Sequence, residues 1–210
     1  MIRIIPFIYN DVDDLFANTY LLIDSKNNCV VIDPSIDYDG IINYILKNDL
    51  SLKGILLTHS HFDHMRGIDR LVSYFHVPLY VHEDDIEGLT DYQKNCSSLD
   101  KKVIVNSKPT LVYDGKKLSI LEDDILVIHT PYHTIGSVCY YIDKDKVLFS
   151  GDSLFKMMVG RSDLSTSCSH SRKESLQKLM KLNDDVKVYP GHGRFTSIGE
   201  ERKNNPFIYR

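Results

Sequence analysis

Short apolar runs, rich in β-branched and aromatic side chains, recur along the chain and are separated by polar turns. Side chains of this kind fit the pleated, half-buried surface of a sheet, so each run is predicted to be a β-strand. The runs cover residues 3–8, 19–23, 29–32, 54–57, 79–81, 117–121, 125–128, 138–142, 147–149 and 186–189. The chain is therefore predicted to be built mainly from strands.

Three longer segments place apolar residues at helical spacing instead. They cover residues 40–48, 64–75 and 172–182, and a capping box formed by Ser171 and Glu174 is predicted to start the third. Strands that pair as hairpins in both halves, with a few helices between them, favour two sheets packed face to face with helices outside. The predicted fold class is an α+β sandwich.

Length and charge narrow the possible functions. The chain has 210 residues, of which 42% are hydrophobic, and it shows no repeat or flexible linker, so residues 1–210 are predicted to form a single domain. Its formal net charge is −4. Because a surface that binds nucleic acid normally needs an excess of Lys and Arg, no nucleic acid partner is expected.

The N-terminus and the cysteines indicate the compartment. The apolar part of "MIRIIPFIYN" is too short for a signal peptide or a membrane span, and acidic residues follow it closely. The four cysteines match neither a zinc ribbon nor a disulfide framework, so free thiols are expected. They are Cys29, Cys96, Cys139 and Cys168. A soluble, cytoplasmic protein without a membrane partner is predicted.

The stretch "THSHFDHMRG" crowds metal-binding side chains into one turn. It holds His59, His61, Asp63 and His64, directly after a predicted strand and before a predicted helix. Burying so many imidazole and carboxylate groups together is costly unless a cation pairs with them, and zinc binds both kinds of ligand. The turn is therefore predicted to bind a divalent metal ion.

Three more candidate ligands stand at the ends of predicted strands. His133 precedes one strand, and Asp152 and His192 each follow another, all close to glycines that let the backbone turn sharply. Together with the first turn this makes five histidines and two aspartates. These seven residues are sufficient to bind two metal ions, and one carboxylate could bridge the two.

The motifs "THSHFDH", "TPYHTIGS", "FSGDSLF" and "YPGHGRFTSIGEE" resemble, in this order, those of the metallo-β-lactamase superfamily. Within it they are most similar to the short bacterial branch of glyoxalase II, the hydroxyacylglutathione hydrolases. The resemblance implies a four-layer αβ/βα sandwich with the metal site at one edge, between the sheets.

The resemblance also implies how the ligands are divided. The first metal would be held by His59, His61 and His133. The second would be held by Asp63, His64 and His192. Asp152 would bridge the two ions, and Asp33 would orient a ligating imidazole from outside. Two divalent ions are expected, zinc first and iron or manganese as alternatives.

The implied reaction is hydrolysis of a thioester such as S-D-lactoylglutathione. Two ions about 3.5–4 Å apart would lower the pKa of a shared water, and the resulting hydroxide would attack the carbonyl. Asp63 and Asp152 are the predicted catalytic residues. A thiolate leaves readily, so no separate proton donor is required. Asp152 stands where true β-lactamases commonly have Cys, which argues against an antibiotic hydrolase.

The sequence departs from the family pattern on the substrate side. The 210 residues contain no counterpart of the C-terminal helical segment that binds glutathione in full-length glyoxalase II. The resemblance therefore does not identify the thiol that carries the acyl group. Tyr132 stands where the family usually has Gly, and its side chain either narrows the pocket or points away. Arg161 either binds a substrate carboxylate or pairs with Asp163. Tyr132 and Arg161 are the candidate substrate-binding residues.

Other functions are compatible with the same ligands. Persulfide dioxygenases of this superfamily bind one iron through a pattern that maps to His59, His133 and Asp152, a facial triad. Val159 replaces a cysteine found in those proteins, which weakens this alternative. A lactonase or another hydrolase of the same fold comes next. A closed structural zinc site is disfavoured, because such sites are typically rich in Cys.

Overall fold

The computed structural model describes residues 1–9, 14–36 and 39–209, and it contains two six-stranded sheets. The first sheet follows chain order. Its strands are β1 (Arg3–Phe7), β2 (Thr19–Ile23), β3 (Asn28–Ile32), β4 (Ser51–Leu56), β5 (Leu79–His82) and β6 (Pro109–Val112).

The second sheet is formed by the other half of the chain. Its strands are β7 (Lys117–Leu118), β8 (Ile125–His129), β9 (Val138–Ile142), β10 (Val147–Gly151), β13 (Lys187–Pro190) and β14 (Thr196–Ser197), in the spatial order β14-β13-β10-β9-β8-β7. A small hairpin of β11 (Leu154–Phe155) and β12 (Met158–Val159) lies between β10 and β13 in sequence.

Within the described residues, five α-helices connect or follow the strands. They are α1 (Asp39–Lys47), α2 (Phe62–Met65), α3 (Ile68–Phe75), α4 (Arg172–Leu179) and α5 (Ile198–Asn204). A 3₁₀ helix, Glu83–Leu89, follows β5 directly. None of the helices within the described ranges combines the length and apolar character required to cross a bilayer.

Three buried clusters show how these elements are layered. The central cluster joins inward residues of both sheets, for example Leu22 of β2 and Phe149 of β10. A second cluster packs α1 and α3 on the outer face of the first sheet. A third packs α4 and α5 on the outer face of the second. This confirms the α+β fold class and the four-layer αβ/βα sandwich.

The pairing within the first sheet differs from the expected hairpins. Only β1–β2–β3 are antiparallel, whereas β3, β4, β5 and β6 run parallel to one another. Parallel neighbours need a long crossover connection, and α1 and α3 serve as two of these crossovers. The apolar pattern of a strand does not encode the direction of its neighbour.

Two local expectations for the helices were also wrong. The segment 64–75 is divided at Gly67, whose amide donates to the Pro34 carbonyl at 2.8 Å and which packs against the backbone of Ile36. Ser171 precedes α4 without a side-chain capping bond, since its own backbone is already helical. The cysteines are free thiols, as expected, and Cys29 and Cys139 are buried.

Candidate metal centre

The structure brings all seven predicted ligands together at one edge of the sandwich. They come from the loop after β4, the loop between β8 and β9, the end of β10 and the loop after β13. Their donor atoms form overlapping groups within 4.8 Å. The groups are His59, His61 and His133; His59, His64 and Asp152; and Asp63, His64 and His192.

The first group consists of three histidines. Nε2 of His59 lies 3.1 Å from Nδ1 of His61, and the ring of His133 packs edge-on against both, with centroids 4.8 and 4.6 Å away. Two nitrogens bound to one tetrahedral zinc ion lie about 3.3 Å apart, given bonds of about 2.0–2.1 Å. The spacing of the first pair therefore suits two ligands of one ion.

The second group, which consists of Asp63, His64 and His192, joins two histidines through a carboxylate. Oδ2 of Asp63 lies 3.1 Å from Nε2 of His192 and 3.7 Å from Nε2 of His64. Gly191, which precedes His192, packs on Asp152 and His64 so closely that any side chain would collide with them. Because Gly191 has no side chain, the loop after β13 can pack directly against the loop after β4.

Asp152 lies between the two groups. Its Oδ1 is 3.4 Å from Nε2 of His64, and its Oδ2 is 3.4 Å from Nε2 of His133 and 3.6 Å from Nε2 of His192. The two oxygens of one carboxylate thus face histidines of both groups. This is the position that a bridging ligand requires.

Hydrogen bonds from outside orient the imidazoles. His64 Nδ1 donates to Asp33 Oδ2 at 2.9 Å, and His133 Nδ1 donates to the Arg161 carbonyl at 2.9 Å. Thr58 Oγ1 donates to Asp33 at 2.7 Å and accepts from His59 Nδ1 at 3.1 Å. These bonds fix each ring so that its inner nitrogen faces the centre, as in metal sites generally.

Unsatisfied polar atoms test whether a metal ion fits. Nε2 of His64, Nε2 of His133 and Oδ1 of Asp152 are buried and have no hydrogen-bond partner within the described part of the chain. Buried polar atoms are normally paired, and these three point toward the same space. A divalent cation would satisfy all of them, so the donor set fits the metal ions that the sequence predicted.

Electrostatics show what the centre must release on binding a cation. Burial and neighbouring imidazoles hold the pKa of His59 well below its usual range and lower the pKa of His61 to about 3. Burial opposes the charge on His64, but the surrounding carboxylates outweigh it and raise its pKa well above the usual range. Burial by itself would raise the pKa of Asp152, but the positive charge of His64 outweighs this effect and holds the pKa well below its usual range. Metal binding must therefore displace the proton of His64.

A further group of potential ligands lies outside the centre. His82, Asp84 and His129 also place donor atoms within 4.8 Å of one another. The two rings stack at 4.0 Å with an interplanar angle of 17°, so their in-plane lone pairs run side by side. His129 Nε2 donates to the Ile135 carbonyl at 2.9 Å. This pair is consistent with a hydrogen-bonded, structural role for His129.

Tyr132 does not face the metal centre. Its side chain is fully buried among the residues of the third cluster, its hydroxyl donates to the Ser153 carbonyl, and it accepts from the Gly160 amide at 3.2 Å. Of the two expected orientations, the structure shows the one in which the side chain points away from the pocket. This corrects the assignment of Tyr132 as a substrate contact. A phenol directed into the core satisfies two buried backbone groups that a glycine would leave unpaired.

Replacing Tyr132 by Phe is expected to lower the free energy of unfolding by about 1–3 kcal/mol, because the Ser153 carbonyl and the Gly160 amide lose their partner. The Michaelis constant should not change. Urea unfolding and steady-state kinetics would test both statements. Tyr141→Phe is the control, since its hydroxyl bonds to the partly exposed Asp143 and its loss should cost less. A raised Michaelis constant for the Tyr132 variant alone would return this residue to the substrate site.

Arg161 lies at the surface. Its guanidinium forms two bonds with the carboxylate of Asp163, at 2.7 and 2.8 Å, and both side chains are more than half exposed. The backbone of Arg161, rather than its side chain, contacts the centre through His133. A substrate role for the guanidinium stays a prediction that requires this ion pair to open.

The cavity beside the centre is lined by residues that sequence reasoning missed. It measures about 720 Å³, adjoins His192, and has apolar walls that include Phe16 and Phe195, with the charged Arg194 and Asp14 also in its lining. Neither Tyr132 nor Arg161 belongs to the described lining. The nearness of Arg194 and Phe195 to His192 in sequence was the available signal, but nothing marked Phe16, which is distant in sequence.

Comparison with known proteins gives a consistent family. A family model described as the metallo-beta-lactamase superfamily matches residues 12–192. The chain is 34% identical to a probable metallo-hydrolase, YqgX of Bacillus subtilis, over 91% of this chain and 92% of that protein. It is 31% identical to the hydroxyacylglutathione hydrolase GloC of Haemophilus influenzae, over 91% of this chain and 92% of that protein.

Solved structures show the same architecture. The crystal structure of the B3 metallo-beta-lactamase BLEG-1 superposes with a TM-score of 0.90 and 34% identity, and both chains are covered completely. TTHA1623, solved in a di-iron-bound form, superposes with a TM-score of 0.78 and 31% identity, over 91% of this chain and 94% of that one.

Proposed function

The chain belongs to the metallo-beta-lactamase superfamily and is similar to a probable metallo-hydrolase. From this membership we propose that it is a binuclear hydrolase of a small-molecule thioester such as S-D-lactoylglutathione. One observation carries the proposal. The carboxylate of Asp152 faces histidines of both three-ligand groups, because Oδ1 lies near His64 and Oδ2 lies near both His133 and His192. Such an arrangement suits two ions that share one ligand.

The residues have distinct roles in this proposal. His59, His61 and His133 would hold one ion, and Asp63, His64 and His192 the other. When bound, two divalent ions supply an acidified water and a Lewis acid for the carbonyl. The buried carboxylate of Asp63 lies 3.1 Å from Nε2 of the partly exposed His192. It would accept a hydrogen bond from the attacking water and so orient it.

The cavity supports a small molecule as the substrate. Its volume of about 720 Å³ lies within the range of about 300–1,000 Å³ typical of ligand pockets. Apolar walls would receive the acyl or thiol carbon chain, and Arg194 offers a charge partner for a carboxylate. We expect neither a nucleic acid nor a membrane partner. We also expect the protein to be cytoplasmic and to use zinc, with iron or manganese as alternative metals.

A β-lactam is the second candidate substrate, because BLEG-1 resembles this chain over its whole length. The donor set disfavours it, since Asp152 occupies the position where true β-lactamases commonly have Cys. The di-iron form of TTHA1623 supports iron as an alternative metal. With a single iron, the facial triad His59, His133 and Asp152 would instead support persulfide oxidation.

Metal analysis combined with three parallel assays would test the proposal. We expect about two metal ions per chain and hydrolysis of S-D-lactoylglutathione, with kcat/KM at least about 10²-fold above that for a β-lactam, a difference of about 2.7 kcal/mol. An oxygen ester of the same acid is the matched control, because its leaving group is poorer. About one iron per chain with oxygen uptake on glutathione persulfide would contradict the proposal, and so would faster β-lactam cleavage.

A further inference from the structure

Asp85 is a buried carboxylate that the predicted chemistry does not use. It belongs to the 3₁₀ helix Glu83–Leu89, whose first turn also holds Glu83 and Asp84, a sequence typical of a solvated helix start. Instead its side chain is almost completely enclosed. A buried carboxylate is costly unless donors surround it, so the position of these donors is informative.

The donors come from both loops that carry the first group of histidines. Ser60, between His59 and His61, donates its amide to Asp85 Oδ2 at 2.7 Å. Thr134, which follows His133, donates its hydroxyl to the same oxygen at 2.9 Å. The Gly136 amide donates to Oδ1 at 2.9 Å. One carboxylate thus contacts residues adjacent in sequence to all three histidines, through the Ser60 amide and the Thr134 hydroxyl.

The two loops belong to different sheets, which gives this contact its significance. The loop with His59 and His61 follows β4 of the first sheet, whereas His133 lies between β8 and β9 of the second. The three nitrogens can share one ion only if the loops keep their relative position. Gly136 approaches Asp85 so closely that a Cβ atom there would lie 2.6 Å from Oδ1. The junction is therefore tight on both sides.

We propose that Asp85 is a positioning residue, which aligns the three-histidine group for one metal ion by joining the two ligand loops across the sheets. The inference rests on the proposed binuclear centre. It goes beyond it by making the two ions unequal: only the ion held by His59, His61 and His133 depends on Asp85. The second group is oriented by a different carboxylate, Asp33, which bonds directly to His64 and reaches the first group only through Thr58 and His59.

Asp85→Asn would test this role with little change of shape. An amide offers one oxygen and one NH₂ group, so at least one of the three donors would face another donor. Loss of such an outer contact typically weakens metal binding about 10–100-fold. Titration of the metal-free chain with Zn²⁺, against a chromophoric chelator, should show one equivalent weakened by that factor and the other unchanged.

Asp24→Asn provides the matched control. Asp24 is also a buried aspartate that accepts backbone bonds, from Lys26, Asn28 and Glu122, but it lies in a turn between β2 and β3. This variant should lose stability while both Zn²⁺ equivalents keep their affinity. Equal weakening in the Asp24 and Asp85 variants would indicate a merely structural role and overturn the inference.

Two variants of Thr134 give an independent readout. Thr134→Val removes the hydroxyl and should weaken the same Zn²⁺ equivalent, whereas Thr134→Ser keeps it and should restore the affinity. In Co²⁺-loaded protein, the visible absorption of one site alone should change in the Asp85 and Val variants. Identical titrations and spectra for all variants would overturn the inference while leaving the hydrolase proposal intact. A wild-type chain that binds no metal would overturn both.

Discussion

Replacing Asp152 by alanine is expected to abolish metal-dependent turnover and leave a folded protein. Asp152 is the residue whose two oxygens face His64 on one side and His133 and His192 on the other, at 3.4–3.6 Å. Without it neither ion keeps its shared ligand. We expect kcat/KM to fall by about 10³-fold or more, which corresponds to about 4 kcal/mol of transition-state stabilisation.

Metal content and stability would separate loss of the centre from loss of the fold. The Asp152 side chain belongs to none of the three buried apolar clusters, so circular dichroism and cooperative unfolding should persist. Elemental analysis should show fewer than two ions per chain. Asp143→Ala, another aspartate at the end of a strand but bonded to Tyr141, should keep both metal and activity. Turnover retained without Asp152 would remove this residue from the centre of the site.

Removing the metal with a chelator should cause the second largest effect. Activity should fall below detection and return when zinc, manganese or iron is added. The melting temperature should fall as well, because ions that bind only the folded state stabilise it by mass action. An enzyme that stays active after its metal content has been shown to be zero would contradict a metal-dependent hydrolase.

Reloading should also release protons, with a sign that follows from the pKa shifts. In the metal-free centre the carboxylates raise the pKa of His64 well above 6.5, so at pH 7 this residue carries a proton. A metal ion can bind only the neutral ring, so the proton leaves. A pH indicator in weak buffer should record at least about one proton per chain on addition of Zn²⁺. His61, with its pKa lowered to about 3, contributes none.

Much of this protein follows from local patterns that a single sequence carries. Apolar runs between polar turns located ten strands to within a few residues, because a buried strand is a short continuous apolar segment bounded by turn residues. The candidate ligands were recognisable for a similar reason. His59, His61, Asp63 and His64 are too many polar groups for one buried turn, and only a cation makes such a cluster favourable.

The tertiary structure decided what depends on residues far apart in the chain. Parallel pairing of β3–β6 depends on the crossover connections between these strands, α1 and α3 among them, which no single strand encodes. Tyr132 faces the core because the Ser153 carbonyl and the Gly160 amide need a partner there. Asp85, read alone, is one of three acidic residues at a helix start. Only the meeting of loops from two sheets surrounds it with donors and makes it part of the candidate metal centre.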